Sequence, residues 1–228
     1  GRVSGLDRYR AVLAHMAAVA VDDSPLWEPL GDELADLGSV LERRRQLLTF
    51  RDAEMKRRRL ARDIVRPHLE ESIAALTEQL EQLEAQANEL VAASKDLQAR
   101  VEVLESVDGV GRVTAASLLH MIPELGRLTR VSVASLVGVA PMNRDSGTWS
   151  GPRYTRGGRQ EPRGVLYMST LAATRWNPVI RARYRHLVER GKKPKVALVA
   201  CMRKLLIHLN ALMRAHLHGL ERGSSAAA

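Results

Sequence analysis

Leu69, Leu76, Leu83, Leu90, Leu97 and Leu104 recur every seven residues, and Ile73, Leu80, Ala87, Ser94 and Val101 fill the alternate core positions. Such a seam predicts a coiled coil over residues 69–104. Ala87 and Ser94 leave its middle lightly packed, so a partner helix can approach closely there. That partner is either the same seam in a second subunit, giving a homo-oligomer, or the preceding helix folded back. The preceding helix is predicted over residues 30–66 from Leu34, Leu37, Leu41, Leu48 and Met55 at helical spacing, and Pro67 ends or kinks it. On it, Lys56-Arg57-Arg58-Arg59 reads as a solvated face or as a contact to a phosphate backbone. A shorter helix is predicted within residues 1–21, broken by Asp22-Asp23-Ser24-Pro25 and Pro29.

The pattern changes at Val107. Val107-Asp108-Gly109-Val110-Gly111 stands between two helical runs and resembles a helix-hairpin-helix turn. In such a turn, glycines let the chain reverse tightly and aim backbone N–H groups at a phosphate. Gly109, Gly111 and Arg112 are therefore candidate backbone contacts; the alternative is a tight inter-helix turn that binds nothing. Pro123 and Gly126 close the next helix, and residues 131–137 form a short one. Residues 137–158 carry no apolar period and read as a long loop. Glu161-Pro162 and Asn177-Pro178 mark two further helix starts. Residues 196–217 form a strongly apolar helix with Leu198, Cys201, Leu205, His208, Leu209 and Leu212 on or near one face. The expected fold is all-α: long coiled-coil helices, then a compact helical domain with the hairpin-like turn. The expected divisions are 1–29, 30–104, 105–222 and a frayed tail at 223–228.

Charge sharpens this picture. Residues 1–104 carry 15 Lys+Arg against 19 Asp+Glu, whereas residues 105–228 carry 20 against 7, so the +9 net charge lies wholly in the second part. A basic, arginine-rich half is the electrostatic footprint of a nucleic-acid binder. It lacks the amphipathic helix with an aromatic face that an anionic membrane surface would select. Aromatics make up only 4 % of the chain, which suits helices packed on helices. One cysteine, Cys201, excludes a disulfide framework and a multi-cysteine metal site and fits a reduced, cytoplasmic setting. Cys201 sits in an apolar run and reads as a core thiol. His208, His216 and His218 have no carboxylate or cysteine set beside them and read as core or solvent-facing side chains.

The loop carries the candidate chemistry. Ser146-Gly147 and Ser150-Gly151 lie among Arg144, Arg153 and Arg156, with Arg159 just beyond. A hydroxyl on a glycine-flanked turn can approach a ligand closely, and guanidinium forks suit a phosphodiester. A serine that attacks a DNA phosphodiester keeps the bond's energy in a phosphoserine linkage, so the strand can be rejoined without ATP. Charge builds on the phosphoryl oxygens, so arginines matter more than a general base. No histidine lies between His120 and His186, which argues against a Ser-His-Asp hydrolase. Tyr154 and Tyr167 are the tyrosine alternatives, and Asp145 either orients the serine or caps a turn. The blander alternative is a basic surface loop whose serines only make turns.

Residues from about 105 to 213 resemble the C-terminal domain of the bridge-RNA-guided insertion-sequence transposases. The landmarks, in order, begin with Val107-Asp108-Gly109-Val110-Gly111, Ile122-Pro123-Glu124-Leu125-Gly126-Arg127 and Leu136-Val137-Gly138-Val139-Ala140-Pro141. They continue with Asn143-Arg144-Asp145-Ser146-Gly147, Gly157-Gly158-Arg159, Leu166-Tyr167-Met168, Asn177-Pro178 and Lys195-Val196-Ala197. The resemblance implies that the serine separated from Ala-Pro by four residues and followed by Gly, here Ser146, is the nucleophile. It also implies DNA as substrate, a guide (bridge) RNA as partner, and Mg²⁺ held by four acidic residues of an RNase-H-like domain. Most of that domain is expected to precede Gly1. Its last acidic motif usually reads Thr-Asp-x-x-Asp-Ala; here Leu6-Asp7-Arg8-Tyr9-Arg10-Ala11 keeps Asp7 and has Arg10 where the second acid stands. The expectation is a transposase or recombinase, or its C-terminal part. The rival is a non-catalytic helical DNA- or RNA-binding module.

Overall fold

The computed structural model describes residues 31–142, 145–146, 149–150 and 154–226. The expected helix within 1–21 and the candidate metal ligand Asp7 lie outside them. Among the described residues the fold is all-α, with eight helices and four two-residue strands.

Helix α1 (Asp32–Leu60) and helix α2 (Arg66–Ala93) form the first layer. Helix α1 opens on Asp32 and Glu33 and closes on Arg57, Arg58 and Arg59, so its charges complement its dipole at both ends. Pro67 sits in the first turn of α2, where its missing N–H costs nothing. The two helices pack along each other as a hairpin, and Arg44 reaches Glu84 at 3.0 Å across it. Leu37, Leu41 and Leu47 of α1 and Leu80 and Ala87 of α2 are buried. The leucine seam thus packs on the preceding helix of the same chain. The apolar side chains at the hairpin's tip, Phe50, Leu60, Ile64 and Val65, are exposed.

The seam is not one continuous helix. Ser94 takes an extended conformation (φ −110°, ψ 112°), ending α2 and starting α3 (Lys95–Glu105). Beyond this break Leu97, Val101 and Leu104 no longer line a zipper. They sink into the main core beside Leu118, Ile122, Leu205 and Leu209. Residues 32–228 form one unit, and its core runs across residue 104 without interruption.

Helix α4 (Arg112–Met121) lies at the centre: Ala115, Ala116, Ser117, Leu118 and Leu119 are all buried, which requires cover on every side. That cover comes from α1, α2, α3 and helix α6 (Gln160–Trp176). Helix α5 (Arg130–Leu136) is capped by Thr129, whose hydroxyl accepts the Ser132 N–H at 3.1 Å. Helix α7 (Pro178–Glu189) is capped by Asn177, which accepts the N–H groups of Val179 and Ile180. It buries Ile180 and half-buries Tyr184 and Leu187, one stripe at helical spacing.

Helix α8 (Pro194–Ala226) closes the core against α3, α5, α6 and α7. Its segment 194–220 is long and apolar enough to cross a bilayer by length and composition alone. Its apolar face is occupied by the protein itself: Ala197, Leu198, Cys201, Met202, Leu205, Leu206, Leu209 and Met213 are buried. The sequence places His208 near that face; in the structure it is exposed, one step round the helix from Leu209.

Candidate active site

The stretch expected to be an open loop is organised as a hairpin arm. Strand β1 (Pro141–Met142) pairs antiparallel with β4 (Tyr154–Thr155) near the body, and β2 (Asp145–Ser146) pairs with β3 (Trp149–Ser150) further out. Ser146 stands opposite Trp149, so only Gly147 and Thr148, outside the described residues, join the outer pair. The two registers differ by one: between them the outgoing limb has two residues and the returning limb three. Arg144 and Arg153, two of the candidate phosphate ligands, fall in those intervals and lie outside the described residues. Fully extended, the six steps from Ala140 would carry Ser146 as much as about 20 Å from the helical body.

The arm's foot is built on close backbone contact. Gly138 (φ +70°) and Gly158 (φ +71°) lie back to back: a Cβ on Gly138 would sit 2.0 Å from the Gly157 carbonyl oxygen, and one on Gly158 2.3 Å from the Gly138 nitrogen. Only glycine satisfies both the left-handed backbone and the missing space. The Arg159 N–H donates to the Leu136 carbonyl at 2.7 Å. Arg163, from the first turn of α6, donates through Nε to the Val137 carbonyl at 3.2 Å and through its guanidinium to the Gly157 carbonyl. A cleft of about 380 Å³ opens beside this clasp, lined by Ser135, Gly138, Ala140, Met142, Arg156 and the two glycines. Arg156 is exposed, and among the described residues its guanidinium makes no hydrogen bond or ion pair.

The other expected phosphate ligands have internal partners. Arg159 makes a fork to Glu124, at 2.9 and 2.6 Å, and also donates to the Met121 carbonyl at 2.9 Å. Burial would push the Glu124 carboxyl up, but the hydrogen bonds and charge of Arg159, with a backbone hydrogen bond, hold it below the usual carboxylate range. Arg159 thereby ties the returning limb to the turn after α4. Arg112 donates to Asn88 at 3.1 Å and lies 3.7 Å from Glu105, which binds α4 to α2 and α3. Gly109 (φ +97°) packs its Cα face on α6, where an added Cβ would sit 2.6 Å from the Ala173 nitrogen, and its carbonyl accepts from Ser169 at 2.9 Å. Gly111, at the N-cap of α4, has open space around it. In the hairpin-like turn, Gly109 and Arg112 thus hold helices together, while Gly111 faces open space.

Sequence reading missed Arg163 and the Glu124 partnership. Neither has a local signal, because each joins residues 26 to 35 positions apart. Among the described residues no group of three or more His, Cys, Asp or Glu side chains converges on a point that could hold a metal. The Cys201 thiol is buried beside the Ile180 carbonyl, and desolvation raises its pKa although the charge of Arg183 opposes this, so it is not a poised nucleophile.

A basic, arginine-rich all-α body that holds a serine-bearing arm by a glycine clasp is suited to contact with nucleic acid. Residues 101–185, from the end of α3 through the arm to α7, match the "Transposase IS116/IS110/IS902 family" model, so this segment is similar to the transposase domain of that family. The chain is 35 % identical over 154 residues to "Insertion element IS110 uncharacterized 43.6 kDa protein" of Streptomyces coelicolor, covering 67 % of this chain and 37 % of that one. It is 27 % identical over 203 residues to each "Pilin gene-inverting protein" of Moraxella lacunata and Moraxella bovis, covering 86 % of this chain and 62 % of each relative. The chain thus spans between about a third and three fifths of the length of these relatives.

Proposed function

We propose that this chain is the part of a DNA transposase or recombinase that cuts and rejoins strands through Ser146. The Ser146 oxygen attacks a DNA phosphorus, and the P–O bond to one deoxyribose oxygen breaks. That oxygen takes up a proton and leaves as a free hydroxyl, while the serine proton passes to solvent. The other strand end stays on the protein as a phosphoserine ester. Attack by the hydroxyl of a second strand reverses the step and restores Ser146. Arg144, Arg153 and Arg156 hold the phosphoryl oxygens as charge builds there. Arg159 and Arg163 act one step back, fixing the foot from which the arm projects.

The observation that carries this reading is the clasped arm itself: a serine on the arm's outer strand pair, with the arm's base locked by two glycines and two arginines. Selection of the DNA by a guide RNA belongs to the same proposal. So does a homo-oligomer formed through the coiled-coil hairpin. Since α1 already covers the seam's inner positions, the contact between copies falls on the exposed tip around Phe50, Leu60 and Ile64. Recombination needs several active sites on two duplexes, which a paired chain supplies.

The test is Ser146→Ala on nicked duplex DNA. The unaltered protein should give a covalent complex that survives SDS, and the variant should give none while binding DNA with unchanged affinity. A protein that binds DNA and never forms the adduct is the non-catalytic module, and equal adduct from both proteins removes Ser146 from the reaction.

A further inference from the structure

Helices α6 and α7 meet at a corner that the hairpin arm does not use. Between Pro162 and Leu220 the chain has twelve Lys and Arg and a single acid, Glu189. Half of that charge lies on α7 and the turn after it, at Arg181, Arg183, Arg185, Arg190, Lys192 and Lys193. Among the described residues none of these makes an ion pair. At the corner stands Trp176, the last residue of α6, 73 % exposed. Val179, three residues on in the first turn of α7, is 61 % exposed, so the corner presents more apolar surface than a lone ring, as contact surfaces do.

The surroundings of the ring point to the ligand. The Arg181 guanidinium donates to the Arg175 carbonyl at 3.4 Å, which holds it at the end of α6 beside Trp176. Arg185 lies one turn further along α7 on the same side, with side chains about 6 Å apart at their roots. The N–H groups of Val179 and Ile180 are taken by Asn177, so the start of α7 is closed to an anion. What remains is one flat aromatic face and a row of unneutralised guanidinium groups. An acidic protein would need only the charges. A nucleic-acid strand with an unpaired base matches both, because bases stack on aromatic side chains and phosphates pair with arginine.

We propose that the α6–α7 corner is a second nucleic-acid contact, where an unpaired nucleotide stacks on Trp176 and its flanking phosphates lie on Arg181 and Arg185. Helix α6 sets the spacing. Its sixteen steps from Gln160 to Trp176 put this contact about 24 Å along the helix from the arm's foot, roughly seven nucleotides of strand at 3.4 Å each. A strand engaged at the arm is thus gripped a second time where it leaves the duplex. The inference needs nucleic acid as the ligand but not Ser146 as the nucleophile.

The test measures binding of the whole chain to three labelled probes: a 20-base-pair DNA duplex, the same duplex with a single-stranded extension, and the RNA counterpart of that extension. Trp176→Ala should weaken binding to an extended probe by about tenfold or more, leave the blunt duplex within about twofold, and leave the melting temperature unchanged. Trp176→Phe should restore most of the loss. Arg181→Gln with Arg185→Gln should flatten the salt dependence for the extended probe by about one to two units of slope. The extension whose affinity falls more, DNA or RNA, names the strand. Equal weakening of blunt and extended probes, or no weakening of either extension, overturns the proposal. So does a loss confined to anionic vesicles or polyglutamate run in parallel. Ser146→Ala should leave the Trp176 effect intact, so the two assignments stand or fall separately.

Discussion

Gly138 and Gly157 offer a matched pair of perturbations at the arm's foot. Both take left-handed backbone, at φ +70° and +72°. They differ in what surrounds them: a Cβ at Gly157 meets nothing within 4 Å, whereas one at Gly138 would sit 2.0 Å from the Gly157 carbonyl oxygen and 2.6 Å from the Arg163 guanidinium. Gly157→Ala therefore pays only the left-handed conformation, about 1–2 kcal/mol, partly offset by a stiffer unfolded chain, about 0.5 kcal/mol. Gly138→Ala carries the same term plus the overlap. That overlap is relieved either by shifting the packing or by releasing the foot with its three hydrogen bonds, and either route costs about 3 kcal/mol. For a unit of this size each kcal/mol lowers Tm by about 2–4 °C. Gly157→Ala should fall by about 3 °C and Gly138→Ala by about 10 °C, read by thermal and urea unfolding. Trypsin should also cut Gly138→Ala faster at Arg153 or Arg156, because the arm has lost its anchor. Equal shifts for the two variants, or a change under about 2 °C for Gly138→Ala, would refute the clasp.

Two further outcomes follow from the titratable groups. The Glu124 carboxyl is held below its ordinary value by Arg159, so its contribution is present above the unfolded-state pKa and is lost as pH falls through the folded one. The Tm difference between the unaltered protein and Glu124→Gln should therefore be full at neutral pH and shrink under acid, below about pH 4; a difference that grows on acidification contradicts the pairing. Cys201 is buried with a raised pKa, so iodoacetamide at neutral pH should label it only after denaturation, and rapid labelling of the folded protein contradicts its place in the core.

Much of the helical frame was legible because helix starts and stops carry local signals. Asn177-Pro178 starts its helix in the structure as in the sequence, whereas Pro67, expected to end or kink the helix over 30–66, sits in the first turn of the next one after that helix has stopped at Leu60. The arm was not legible. Its strands are two residues long, too short for any alternation, and Pro141 and Pro152 read as loop residues. The heptad seam misled in a specific way. Its period passes unbroken through Ser94, yet the helix stops there, because the side chains beyond it gain more by entering the central core than by extending a zipper. The arginines of the loop region could be counted but not sorted. Arg159 and Arg156 stand three positions apart, and only the tertiary partner Glu124 separates an anchoring side chain from one presented to solvent. Trp176 carried no sequence signal for its exposure, since an aromatic residue in an apolar helix ordinarily faces inward.

In the proposed reaction position 146 becomes bonded to DNA phosphorus. The direct measurement is mass spectrometry of the trypsin-digested covalent complex formed on nicked duplex DNA. A nucleotide mass is expected on the peptide that begins at Asp145 and ends at Arg153, with fragmentation placing it on Ser146 and not on Ser150. A nucleotide found on Tyr154, or on Ser150, would contradict it.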